Sequence, residues 1–276
     1  MSAGLDIRVR ARAVLLDAHV ESKLAGSLEL GQEVEQASRL LDLDCADPAA
    51  ALIEPGRPGT PMLVPPRELK QRKLSSAEGR IHLIHAVAHI EFNAINLAWD
   101  AVQRFAGLPE QYYRDWASVA VDEARHFQML RARLIELGSD YGQHPAHNGL
   151  WEMALATRHD PIARMALVPR LLEARGLDVT PGMIERLRAA GDHRSIELLE
   201  VILREEVRHV AIGSHWFAWL CQGAGVDPEA RFRELIATTA RGRVIPPFNI
   251  EARLAAGFSH AEVSWLSSQA ERLSAL

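Results

Sequence analysis

Two stretches of this chain set a carboxylate and an imidazole three residues apart inside an apolar helical pattern. Glu123 and His126 lie within residues 119–130 (VAVDEARHFQML), and Glu206 and His209 within residues 198–213 (LLEVILREEVRHVAIG). On an α-helix three residues advance about 300° and about 4.5 Å, so each pair leaves one face as two converging donors, half of a metal site. A single Glu-x-x-His arises about once by chance in a chain of this length and composition, whereas two in matching surroundings are informative. Upstream of each lies a glutamate on an otherwise apolar stripe. Ile84, Val87, Ala88, Ala94, Ile95, Ala98 and Val102 share a face whose charged member is Glu91; Ile162, Met165, Ala166, Pro169 and Leu177 share one whose charged member is Glu173. The separations 91 to 123 and 173 to 206 nearly match. Glu, Glu-x-x-His, Glu, Glu-x-x-His is the ligand order of carboxylate-bridged di-metal helix bundles.

Four carboxylates buried without compensation would take up protons or unfold the bundle. Two divalent cations remove the difficulty, because four anionic glutamates and two neutral histidines then bring the group near zero charge. Oxygen and imidazole donors without thiolate suit two iron ions, with manganese or a mixed iron/manganese pair as the alternative, better than a structural zinc. A metal-bound histidine donates its far ring N–H to an acceptor. Asp122 and Glu205 are candidates for that contact, each paired with an arginine, Arg125 or Arg208; the plainer reading is a surface ion pair at i, i+3. His82, His85 and His89 point away from the Glu91 stripe and are expected on a solvated or strap-covered face. His144 and His147 are expected to solvate a loop, and Trp99, Trp116, Phe127, Trp216 and Phe217 to belong to the core.

The elements that must hold these residues are helices. Ser75 with Glu78 reads as a capping box opening a helix near Ser76 that stops at Gly107, and a second should run over 109–137 to Gly138. Glu91 is then about 15 residues from the end of the first and Glu123 about 14 from the start of the second, so both stand about 21 to 22 Å from the turn, at one height. A Gly-, Pro- and His-rich crossover over 139–148 precedes a short helix over 150–157. Asp160-Pro161 opens a third long helix, Gly176 to Pro181 should break it just after Glu173, and a separate segment over 181–190 completes the return. The fourth runs over 192–221. Helical segments over 5–42 lead in, a Pro/Gly-rich strap over 42–66 is expected to pack through Met62, Leu63 and Val64, and helical segments follow over 228–240 and 259–276, the last with its own capping box. The expected fold is all-α: a four-helix bundle over 76–222, a lead-in and strap over 1–75 and a helical appendage over 223–276.

With 276 residues, 48% hydrophobic and 24% charged, the chain can bury a large core. A net charge of −5 with mixed signs gives no basic stripe, so nucleic acid is not predicted. No apolar run approaches the roughly 20 residues of a membrane span, and no signal peptide is evident, so the expected location is cytoplasmic. Cys45 and Cys221, far apart, read as reduced thiols.

At DEARH (122–126) and EEVRH (205–209) the chain resembles the ferritin-like di-iron carboxylate superfamily, nearest to the family called domain of unknown function 455. The likeness extends to the PGRP…P…LV strap at 55–64, HIEFNAINLAWD at 89–100, HNGLW at 147–151 and LLEARGLDVTP at 171–181. The resemblance implies Glu91, Glu123, His126, Glu173, Glu206 and His209 as ligands and an O₂-dependent oxidase or hydroxylase of a small or medium-sized organic substrate. An electron-donor protein and a homodimeric state are compatible with it. The alternatives are a non-catalytic, metal-stabilised helical binding protein and an iron-handling protein.

Overall fold

The computed structural model describes residues 4–41, 43–44, 54–69, 72–240 and 244–274, and side chains as far as residue 270. Among these residues the secondary structure is helical, with two isolated bridges and no strand, so the chain is all-α. Cys45 and residues 45–53 of the strap lie outside the described residues. Two compact units divide the chain at residues 151 and 152.

The first unit contains α1 (Ile7–Leu16), α2 (Val20–Gln36), α3 (Ala77–Arg104) and α4 (Glu110–Glu136). The antiparallel α3–α4 pair makes its most extensive helix contact, with α1 packed on α3 and α2 on α4. Helix α3 is therefore covered on several sides, and Ile84, Ala88, Ile95, Ala98, Trp99 and Val102 are buried along it. It opens one residue later than the capping box implied. Ser76 is the cap, accepting from the Gly79 amide at 3.0 Å, and Glu78 turns outward to Arg72 at 2.9 Å instead of reaching back. A Cβ at residue 79 would strike the Lys73 carbonyl, so glycine there lets the chain fold under its own helix start. Helix α4 ends as expected at Gly138, in the left-handed region at φ 79°.

The described part of the strap does pack, but through different atoms from those anticipated. Met62 is 67% exposed and Leu63 39%. The anchors are the backbone, where Val64 N donates to Ala146 O (2.8 Å) and Ala146 N to Met62 O (3.0 Å), together with buried Pro55 and Pro61. An extended segment beside an irregular crossover satisfies its peptide groups by pairing with it, which leaves alternate side chains in solvent. Lys23 completes the attachment. Fully buried, its ammonium donates to Leu15 O (2.9 Å), Gly56 O (2.8 Å) and Asn96 Oδ1, joining the end of α1, the strap and α3.

Helix α5 (Gly149–Ala156) crosses the division between the units. The second unit holds α6 (Pro161–Leu167), a π-helical segment at Val168–Glu173, α7 (Ala174–Ala189), α8 (His193–Ala224), α9 (Pro228–Thr239), α10 (Ile250–Ala255) and α11 (His260–Ser274). Asp160 caps α6 by accepting from Ala163 N at 3.0 Å, with Pro161 in the first turn. The expected break over 176–181 is absent, because α7 runs straight through Pro181. A proline there removes the N–H that would bond the Leu177 carbonyl, and the side-chain Nδ2 of Asn249 donates to that oxygen at 3.2 Å. The irregularity instead lies one turn upstream, where Pro169 sits in the π-helical segment that ends at Glu173. Its ring rests on Gly213 of α8, where any Cβ would collide with it, so the glycine and the π-helical register belong together. Ser259 and Glu262 form the anticipated capping box of α11, each backbone amide bonded to the other's side chain at 2.9 and 3.0 Å.

Candidate metal centre

In the first unit, Glu91 lies midway along α3, with Glu123 and His126 on the facing part of α4. Equal stretches of helix separate the two glutamates from the turn, 91 to 104 and 110 to 123, so the α3–α4 hairpin brings them to one height. All three are buried, at 4%, 2% and 0% exposure, and their ligand atoms lie within 4.8 Å of one another. The His126 Nδ1 is 3.1 Å from Glu91 Oε2 and 3.5 Å from Glu123 Oε2. Ala88 and Ile95 on α3, and Ala124 and Phe127 on α4, neighbour these residues along the chain and are buried with them.

Burial, and then the charge of Glu123, pushes the Glu91 carboxyl up to about 8. Burial disfavours the His126 imidazolium, but hydrogen bonds to Glu123 and Glu91 outweigh it and raise the group to about 11. Without metal, the protonated ring thus supplies the positive charge that the carboxylates demand. The residues fit a metal ion: two buried carboxylates and one imidazole aim oxygen and nitrogen at a common point, and a cation would replace the proton. This group can hold a metal.

The same shifts give a pH dependence. Between about pH 4.5 and 8 folded Glu91 keeps a proton that the unfolded chain releases, and His126 does so between 6.5 and about 11. Both groups bind more protons in the folded state, so stability must fall as pH rises through these windows. Metal-free protein is expected to melt at a lower temperature at pH 8.5 than at pH 6, while metal uptake should strengthen over the same range as the ligands lose their protons. Thermal melts of chelator-treated protein check the sign.

In the second unit, Glu206 and His209 lie on one face of α8, the ring Nδ1 3.1 Å from Glu206 Oε1, at 9% and 0% exposure. They repeat the 123/126 pair. Glu173 closes the π-helical segment and is half-buried. Asp178, a conceivable substitute for it, is committed elsewhere: Arg253 grips both its oxygens at 2.9 and 2.7 Å, and the Asn249 amide donates to it at 2.9 Å. Asp122 makes the i, i+3 ion pair with Arg125 at 2.6 Å. Glu205 is half-buried on α8 and Arg208 exposed.

The second histidine cluster is not solvated. His85 and His89 are 1% and 5% exposed, and what covers them is the crossover over 139–148. The Gly142 amide donates to His85 Nε2 at 3.0 Å, and His89 Nδ1 meets the Tyr141 hydroxyl at 2.9 Å. Tyr141, which the sequence pattern did not single out, also packs edge-on against Phe127, beside His126. Its position in a Gly- and His-rich loop carries no periodic signal, so only the fold reveals it.

The sequence pattern of the family described as protein of unknown function (DUF455) matches residues 16–264. The chain belongs to that family. It is also similar to an uncharacterized protein of Haemophilus influenzae, 42% identical over 216 residues that cover 76% of this chain and 75% of the relative. No solved structure matches it. Among the described residues no helix is long and apolar enough to cross a membrane.

Proposed function

We propose that this protein is a di-metal carboxylate oxidoreductase in which Glu91, Glu123 and His126 on one side, and Glu173, Glu206 and His209 on the other, hold two iron ions. The observation that carries this reading is the buried group of Glu91, Glu123 and His126, two carboxylates and one imidazole whose ligand atoms lie within 4.8 Å of one another. Its echo at Glu206 and His209, with the same spacing and the same imidazole–carboxylate contact, supports a second half. On this reading the four long helical elements form one ferritin-like bundle, and Asp122 and Glu205 steady the histidines with Arg125 and Arg208.

Iron held by such ligands supplies the reduction of O₂ and the oxidation of a bound organic molecule. The chain's own share is to supply six donors that leave coordination positions open, to fix the ring of His126 between two carboxylates, and to exclude bulk water through Ile95, Ala98, Phe127, Ile202 and Val210, all buried. Hydroxylation of a C–H bond takes two electrons from the substrate and two from a donor, with one oxygen atom of O₂ entering product and the other leaving as water. An electron-donor protein is therefore part of the proposal. Stopped-flow mixing of the iron-loaded, reduced protein with O₂ is expected to oxidise iron faster than free Fe²⁺ does, and a metabolite pool added to the reaction should yield an oxidised product. Oxidation at the rate of free iron, with no product, would replace this reading by that of a metal-stabilised helical binding protein.

A further inference from the structure

Within the first unit, the crossover over 139–148 is held to α3 by a bond that only a neutral imidazole can make. The Gly142 amide donates to His85 Nε2 at 3.0 Å, and a protonated ring, with an N–H on both nitrogens, has no lone pair left to accept it. His85 is 1% exposed, so water does not stand in for the lost partner. Gly142 is fitted closely here: its φ is 96°, and a Cβ would collide with Thr60 of the strap. Two further imidazoles complete the cluster. The ring centroid of His144, in the crossover, is 4.1 Å from that of His82 and 5.2 Å from that of His85. Charging rings this close together sets like charges against one another.

The carboxylates within reach are already committed to arginines. Asp140, which acts on His85, is gripped by Arg131 at 2.7 and 3.1 Å and accepts from Tyr141 N; Arg131 also meets Glu21 of α2. Glu78, which acts on His82 and His144, is paired with Arg72 at 2.9 Å, and that guanidinium opposes the protonation of both rings. His89 of α3, His147 of the crossover and Arg57 of the strap face the same stretch, and Glu68, which lines the adjoining cavity, is exposed. Burial first of all, then these neighbours, holds His82, His85 and His144 below the usual histidine range, His85 at about 4.

We infer that the crossover is an acid-released latch, closed on α3 while His82, His85 and His144 are neutral and freed when they take up protons. Its release uncovers Phe92 and Phe127 of the α3–α4 pair, on which Tyr141 packs with ring centroids at 5.4 and 4.9 Å. It also withdraws His144, Pro145, Ala146 and His147 from the wall of a cavity of about 490 Å³, a volume in the range of small-ligand sites. A released ring returns to the ordinary histidine range near 6.5 and takes a proton there, whereas His85 in the latch does so only near 4. The open form therefore binds more protons below about pH 6.5, and the closed form loses stability as pH falls from there toward about 4. For His85 alone a step from pH 7 to 5 favours opening about 20-fold, and His82 and His144 act in the same direction. The latch does not depend on the proposed iron centre.

Hydrogen exchange of the full-length protein between pH 7 and 5, read by mass spectrometry and corrected for the intrinsic pH dependence of exchange, tests the latch. Protection over 139–148 is expected to fall by about 20-fold or more, while that of α8 is retained. His85→Gln keeps an acceptor for the Gly142 amide but cannot titrate, so it should hold the crossover at pH 7 and lose most of the acid effect. His144→Gln, at a half-buried position of the crossover, should reduce the effect even if the His85 variant folds poorly. Protection over 139–148 that is the same at pH 7 and 5, or an acid effect of full size in the folded variants, would overturn the inference.

Discussion

Replacement of Glu123 by alanine is expected to abolish iron uptake at the buried centre while leaving the helices intact. The carboxylate is 2% exposed and, with Glu91 and His126, is one of three side chains whose ligand atoms lie within 4.8 Å of one another, so its loss removes a ligand that no surface residue can replace. The penalty should exceed the roughly 10- to 100-fold that loss of an outer partner costs a metal site. Folding should not suffer in proportion. The charge of Glu123 is one of the forces that pushes Glu91 up to about 8, and its removal relieves that repulsion in the metal-free chain. Glu206→Ala, at the matching position of α8, should behave alike. Glu173→Ala should also lose metal, because Asp178 is bound to Arg253 and is not available as a substitute. Metal analysis and circular dichroism of each variant separate a missing ligand from a missing fold, and unchanged affinity in Glu123→Ala and Glu206→Ala would remove both residues from the site.

Glu262→Ala is expected to cost about 3 to 5 kcal/mol of stability, the range for breaking a buried ion pair by deleting one partner. Arg170, in the π-helical segment, is 2% exposed; its guanidinium donates to both oxygens of Glu262 at 2.8 and 2.9 Å and to Ser214 Oγ at 3.1 Å. The rings of Phe217, Phe232 and Phe258 close around it at 4.8, 4.6 and 4.4 Å. Without Glu262 the cation stays enclosed by aromatic faces, which recover part of its desolvation but not the bidentate pair. Since Glu173 ends the same π-helical segment, the change should also loosen the geometry at that residue. An Arg170→Met, Glu262→Leu double variant should recover much of the stability, because replacing both partners leaves no buried charge. Chemical denaturation of the three proteins measures this; a cost in Glu262→Ala within about 0.5 kcal/mol would show that the pair contributes little.

What could be read from the sequence was whatever repeats with the period of a helix or sits at a helix end. The stripe around Glu91, the 123/126 and 206/209 spacings, the Asp160-Pro161 and Ser259/Glu262 starts and the Gly138 stop all correspond to elements of the fold, because each depends on residues within two turns of one another. Three kinds of feature did not follow. Pro181 looked like a break because the donor that relieves it, Asn249, comes from a distant loop. The strap's anchors were misassigned because backbone pairing leaves no trace in side-chain pattern. The enclosure of His85 and His89, and the parts played by Tyr141, Lys23 and Arg170, depend on long-range partners that no local window contains. Tertiary context decided each of these, as it decides most buried polar contacts.

Iron content after anaerobic reconstitution tests the central claim most directly. Metal-free protein incubated with Fe²⁺ under nitrogen, freed of excess by gel filtration and assayed for iron is expected to carry two ions per folded chain, and the Glu123→Ala and Glu206→Ala proteins to carry none at this centre. A folded parent chain that retains no iron, or variants that retain as much as the parent, would contradict a di-metal centre built on Glu91, Glu123, His126, Glu173, Glu206 and His209.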